Sequence, residues 1–246
     1  MMDGTSILFF SLLPIVAFLY AAVGHGGASG YLALMSLFSI APQTMKPTAL
    51  LLNLFVAGIS FYYFYKEGFF NKKLFLSFAI ASIPMAYLGG TIEANPYWYK
   101  IILGVLLIFA ILKMLNIFNA PLKQIRTVKI WQGILVGALI GFFSGLIGIG
   151  GGIILSPVIL LFAWGDVKEA AAVSALFIWV NSAAGLAGQF SNQISLNSQS
   201  ILMVALALVG GLLGSYLGSK KMSNKGVRVL LVLVLSAASI KLIFVP

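Results

Sequence analysis

Two glycine runs hold the residues whose types and spacing suit chemistry. The first is Gly24-His25-Gly26-Gly27-Ala28-Ser29-Gly30, and the second is Gly148-Ile149-Gly150-Gly151-Gly152. Each stands just before a short apolar stretch expected to be helical. The first N–H groups of a helix lack intrahelical partners and carry the positive end of its dipole. Glycine leaves the backbone uncovered, so a ligand can approach it. Two such runs brought together would hold a small anion without a buried Lys or Arg. Close helix packing is the other use of small residues in an apolar setting. Asn53 and Asn181 lie in the long apolar segment that follows each short one, and Gln189 follows Asn181 by two helical turns. Ser174 precedes Asn181 by about two turns, and Ser144 stands one turn before the second run. Intramembrane Asn also serves as an interhelical hydrogen-bond partner.

The surroundings of these residues are apolar almost throughout. Hydrophobic residues make up 61% of the 246, and charged residues only 8%. A soluble domain carries about a quarter charged residues to cover its surface, so the solvent of this chain is largely lipid. Its net charge of +10 then points to cytoplasmic loops facing an anionic leaflet, with no nucleic-acid partner. The apolar segments run near residues 6–23, 28–41, 47–65, 73–91 and 97–117, then 131–147, 152–164, 170–189, 198–218 and 227–244. Three segments of each set approach the roughly 20 residues of a full crossing. The second of each set is shorter and follows a glycine turn. Residues 1–5 carry no Lys or Arg, so no cleaved signal peptide is expected.

The two sets are one repeat written twice. Gly24–Gly27 aligns with Gly148–Gly151 at an offset of 124, while Tyr87-Leu88-Gly89 aligns with Tyr216-Leu217-Gly218, and Asn95 with Asn224, at 129. Charge sets the direction of the halves. If each short pair is a hairpin entering and leaving on one side, that side collects 12 of the 15 basic residues, leaving Lys46, Lys100 and Lys241. If each pair is one broken helix, the division is 8 to 7. Only the hairpin gives a positive-inside bias. The expected architecture is therefore an all-α polytopic membrane protein of two inverted repeats, each a short-helix hairpin with a glycine-rich turn plus three long transmembrane helices. Residues 1–118 form the first repeat, 119–130 a basic cytoplasmic linker and 131–246 the second. Both termini lie outside the cell membrane. Tyr97-Trp98-Tyr99 and Phe61–Tyr65 suit the aromatic belts at its interfaces. Pro14 and Pro84 fall inside helices, and Pro157 inside the short helix of the second half.

Many chemistries are excluded. There is no cysteine, one histidine and five acids, all in polar breaks or at a terminus. No metal site and no cofactor is expected, and neither a P-loop nor a Gly-x-Ser-x-Gly motif occurs. The chain is not expected to be an enzyme, and a cation path lined with carboxylates has none to use. His25 is the obvious side chain at membrane depth that titrates around neutral pH. Inside a glycine turn a proton and an anion would bind together, which is the linkage a proton-coupled carrier needs. The plainer role is a neutral imidazole bonded to a carbonyl and shaping the turn.

Gly148 to Gly152 followed by Pro157, the run Ala170-Ala171-Ala172-Val173-Ser174 to Asn181-Ser182, and the echo Gly24 to Gly30 with Pro47-Thr48-Ala49 resemble the pattern of the sulfite exporter family, the TauE/SafE type of membrane permease. The resemblance spans nearly the whole chain in length and layout. It implies a secondary transporter of small sulfur-containing anions such as sulfite, sulfoacetate and other sulfonates. The expected substrate site comprises Gly24, His25, Gly26, Gly27, Asn53, Gly148, Gly150, Gly151, Gly152, Asn181 and Gln189. His25 stands where the second half has Ile149, so its coupling role is not carried by the family pattern. A membrane assembly or accessory subunit, packed at its centre, is the competing class.

Overall fold

A computed structural model of the chain describes residues 4–38, 40, 42–92, 125–190, 198–227, 229–230, 232–233 and 236. These residues form helices α1 (Gly4–Ala22), α2 (Ala28–Leu37), α3 (Pro42–Lys66), α4 (Lys72–Thr91), α5 (Ile130–Ile147), α6 (Gly152–Leu161), α7 (Val167–Gln189) and α8 (Ser198–Tyr216), with a π turn at Leu217–Lys221. No strand occurs among the described residues. The expected segments 97–117 and most of 227–244 lie outside them, with Tyr97–Tyr99, Asn95, Lys100, Lys123 and Lys241.

Local chemistry sets the ends of these helices. The Asn71 side chain accepts from the Leu74 N–H at 3.1 Å and opens α4. Asp166 accepts from the Glu169 N–H at 2.8 Å, and Glu169 returns to the Asp166 N–H at 3.0 Å. That reciprocal cap makes the polar break between α6 and α7. Gly148, at φ +83°, closes α5 by donating to the Ser144 carbonyl. Pro14, Pro84 and Pro157 fall within α1, α4 and α6, as the sequence places them.

Among the described residues, five helices are long and apolar enough to cross a membrane, namely α3, α4, α5, α7 and α8 with its π turn. The ten residues of α2 and of α6 extend roughly 15 Å, half a hydrocarbon core of about 30 Å. Exposed Leu135, Leu139, Ile80, Leu212 and Leu213 stand where lipid would meet them. The chain is a multi-pass membrane protein.

Helix pairing follows a reciprocal pattern. α4 lies along α5 in the same direction, and α1 along α8 likewise. Gly133, Gly137, Gly141 and Gly145 form a stripe at four-residue spacing on α5. A methyl group there would strike Ser77 and the backbone of Phe78, Ser82 and Ala86 of α4. Gly210, Gly214 and Gly218 meet the backbone of Pro14, Phe18 and Ala22 of α1 in the same manner. With no side chains between them the helices approach closely, and contact between their surfaces replaces the hydrophobic drive that lipid removes. α3 and α7 pack on each other, α3 also on α8 and α7 also on α4.

Each hairpin returns to the face it started from. The Arg126 N–H, before α5, donates to the Ala163 carbonyl, after α6, at 2.7 Å. In the first half the Phe9 and Phe38 rings meet edge to face at 5.3 Å. The ends around α5–α6 share their face with three other helix ends. Lys168 Nζ donates to the Ser219 carbonyl at 2.8 Å and lies 4.6 Å from the centre of the Phe69 ring. Lys220 pairs with Glu67 at 3.5 Å, and the Asn71 amide donates to Glu169 at 3.3 Å. Lys66, Lys72, Lys73, Arg126, Lys129, Lys168, Lys220 and Lys221 thus gather at one end. Lys46, near the start of α3, lies toward the other.

Candidate functional site

Both glycine turns come to the middle of α3 and α7. Asn53 is the link, a fully buried side chain near the centre of α3. Its Oδ1 accepts from the Ala28 N–H, the first of α2, at 3.0 Å. Its Nδ2 donates to the Ile149 carbonyl of the second turn at 3.3 Å and to Ser182 Oγ of α7 at 3.2 Å. One side chain therefore ties α2, α7 and the second turn together. Gly26 and Gly150 pack directly on it. A methyl carbon at Gly150 would lie 2.7 Å from Asn53 Nδ2, and one at Gly26 would strike the Asn53 Oδ1.

Around this link the remaining glycines are equally enclosed. Gly24 lies against the backbone of Ala171, Gly27 against the Tyr31 ring, Gly148 against the stem of Lys46, Gly151 against Ile140 and Phe177, and Gly152 against Ile178. Gly148, Gly150 and Gly151 all have φ between 74° and 83°, a region that only glycine occupies readily. These dihedrals start α6 abruptly. Ile154 and Leu155 donate to the Gly151 carbonyl. Among the described residues, the N–H groups of Gly150, Gly151, Gly152 and Ile153 donate to nothing. All four residues are buried. The first N–H groups of a helix lack intrahelical partners, and here the residues that carry them are shielded from solvent.

His25 reaches one turn into α6. Its Nε2 lies 2.9 Å from Ser156 Oγ, and Ser156 donates onward to Ser174 Oγ of α7 at 2.7 Å. His25 is 1% exposed, and Ser156 and Ser174 are buried. His25 Nδ1 is buried and has no hydrogen-bond partner. The Ser29 hydroxyl donates to Tyr20 Oη, and Ser60 donates to the Ala21 carbonyl. These bonds hold both flanks of the first turn.

Of the side chains that the sequence singles out, Asn53 and His25 lie at the meeting of the turns. Asn181 faces elsewhere. Its Nδ2 donates to the Phe177 carbonyl at 2.8 Å, and its buried Oδ1 has no partner. The residue opposite Asn53 is Ser182, one position on, because a single step along a helix rotates a side chain by about 100°. Gln189 ends α7, roughly 10 Å along the helix from Ser182, with its Nε2 buried and unpartnered. Ser144 Oγ, also unpartnered, stands behind Gly151. The sequence reading missed Ser156, Ser182 and the approach of Lys46 to Gly148. A hydroxyl at Ser156, four residues into an otherwise apolar ten-residue helix, was the available signal.

Comparison with known proteins covers the same span. The profile of the sulfite exporter TauE/SafE family matches residues 9–242. A probable membrane transporter protein of Sinorhizobium fredii is 35% identical over 98% of both chains. Probable membrane transporter proteins of Methanocaldococcus jannaschii and Bacillus subtilis are 29% and 28% identical. The former match covers 73% of this chain and 72% of the relative, the latter 83% and 82%. No solved structure matches the chain. The profile and the Sinorhizobium relative both run through the two glycine turns and the helices that hold them, and the chain belongs to the sulfite exporter TauE/SafE family of membrane transporters.

Proposed function

We propose that the chain is a secondary transporter of small sulfur-containing anions, sulfite or organosulfonates, and that His25 couples their passage to protons. The observation that carries this is the row of unpartnered N–H groups from Gly150 to Ile153, held by Asn53 against the first turn. A helix start of this kind attracts oxyanions through N–H donors and its dipole. It needs no fixed positive charge, which suits the apolar interior. Gly24, Gly26, Gly27 and Gly148 shape the meeting of the turns, whereas Asn181 and Gln189, whose buried polar atoms lie away from it on α7, would serve the anion elsewhere on its path. The test is uptake of radiolabelled sulfite by liposomes holding the purified protein. Saturable uptake that opposing substrate accelerates is expected. Flux that neither saturates nor responds to counter-substrate would describe a channel, and no flux at all would favour an accessory subunit. His25→Gln is expected to keep downhill flux and lose its response to a pH gradient. If the variant answers the gradient as the parent does, His25 is only structural.

We also infer that residues 1–118 and 131–246 are inverted repeats, with both termini outside the cell membrane and the basic linker inside. The reciprocal seams, α4 with α5 and α1 with α8, support it, as do two hairpins that each return to their own face. Basic residues favour the cytoplasmic side, which orients the Lys-rich end inward. The chain has no cysteine, so single-cysteine variants report cleanly. Arg126→Cys, Lys129→Cys and Lys221→Cys are expected to react with an impermeant maleimide only from the cytoplasmic side. Labelling from outside would sink this topology.

A further inference from the structure

Lys168 joins two helix ends beside the first glycine turn. It is the second residue of α7, and its Nζ donates to the Ser219 carbonyl at 2.8 Å. Ser219 lies in the π turn that ends α8, where the Met222 N–H bonds back to the Leu217 carbonyl. Carbonyls in the last turn of a helix lack intrahelical partners and carry the negative end of its dipole. A basic side chain of the same turn commonly answers them. Here Lys220 of that turn pairs with Glu67 and lies over the Tyr216 ring, and the cation at Ser219 comes from α7. Lys168 is half-buried and Ser219 is buried, so their bond is shielded from water and strengthened by it. α7 and α8 share no packed seam, because each packs on α3. The bond therefore bridges two helices that can separate at this end without unpacking a core.

The groups around the bond surround the first turn on its Lys-rich side. About one helical turn beyond Lys168, Ala171 lies against Gly24, and Gly218, next to Ser219, lies against Ala22. The end of α1 is thus held between the start of α7 and the end of α8. Phe64 and Phe69 pack on Ala171 and Ala172, and the Phe69 ring centre lies 4.6 Å from the Lys168 ammonium. A ligand leaving the first turn toward the Lys-rich end must pass between these groups. We propose that Lys168 is a latch, whose bond to the Ser219 carbonyl closes the Lys-rich end of the path and breaks each time that end opens. The inference rests on the transport reading and adds to it the contact that governs one of its two openings.

The chain has no cysteine, so Ser60→Cys supplies a single thiol. Ser60 is fully buried, donates to the Ala21 carbonyl beside the first turn, and stands one helical turn before Phe64. In sealed vesicles of defined orientation, a cationic methanethiosulfonate added at the Lys-rich face is expected to modify this thiol slowly. Adding Lys168→Met is expected to speed the reaction about tenfold from that face alone. Lys168→Arg, which keeps a charged donor, is expected to leave it slow. So is Lys220→Gln, which removes one charge at the same end but breaks only the exposed pair with Glu67. Unchanged labelling with Lys168→Met overturns the latch, and so does labelling that quickens from both faces, the sign of a loosened fold. In a second arm, Lys168→Cys and Ser219→Cys are bridged by a short bis-methanethiosulfonate. Sulfite flux is expected to stop on bridging and to return on reduction, and flux that survives complete bridging overturns the latch. Flux through the parent separates the two failures. Parent flux with a failed latch test rejects the latch alone, and absent parent flux rejects the transport reading with it.

Discussion

Asn53→Asp is expected to lower sulfite flux at least about a hundredfold while the protein remains folded. The carboxylate still accepts from the Ala28 N–H, so α2 keeps its cap. It can no longer donate to the Ile149 carbonyl, and it brings negative charge to the turn that would receive the anion. At an effective dielectric of about 20, like charges about 4 Å apart repel by about 4 kcal/mol, enough for that loss. Asn53→Leu separates structure from charge. It strands the Ala28 N–H, the Ile149 carbonyl and the Ser182 hydroxyl. Each buried group left unpaired costs about 1–3 kcal/mol, so this variant is expected to melt well below the parent. Flux in liposomes and thermal unfolding in detergent, measured on both variants, check the pair. Normal flux through Asn53→Asp would remove the anion from the place where the turns meet.

Gly150→Ala is expected to cost at least about thirtyfold in flux, and Gly68→Ala nothing. Both positions have left-handed backbone, φ +74° and +80°, so both alanines bear the same strain of about 1–2 kcal/mol. They differ in space. At Gly150 the new carbon lies 2.7 Å from Asn53 Nδ2 and from Ile178 Cγ2, and 2.9 Å from Ser182 Oγ. At Gly68, in the exposed turn between α3 and α4, nothing lies within 4 Å. Gly151→Val, against Ile140 and Phe177, extends the series to a bulkier side chain. Equal flux through Gly150→Ala and Gly68→Ala would mean that the uncovered backbone plays no part in transport.

The glycine turns were legible because a left-handed residue beside a helix start has few alternatives to glycine. The shortness of α2 and α6 followed from the distance to the next polar or proline break. The gathering of the basic residues followed from parity and composition. What the sequence could not show was side-chain register across the two halves. Whether Asn53 meets residue 181 or 182 turns on one step along α7, and the repeat offsets of 124 and 129 leave that step open. Ser156 was hidden for a related reason. Its value depends on His25, which is 131 positions away in sequence. The stripes at Gly133–Gly145 and Gly210–Gly218 stand at four-residue spacing, but the sequence reading missed them. Nor were their partners legible, because a glycine stripe specifies close approach without naming what approaches.

Those two stripes bear on how the molecule can move. α5 lies backbone to backbone on α4, and α1 on α8, so each half lends its opening hairpin to the other half's long helix. The halves are laced together, and the boundary between them in sequence is not a plane along which the protein can part. A rigid-body displacement that leaves both seams closed must carry α4 with the α5–α6 hairpin and α8 with the α1–α2 hairpin. α7 belongs with the first of these groups, since Gly188 and Gly185 meet the backbone of Tyr87 and Gly90 of α4 as closely as the stripes meet theirs.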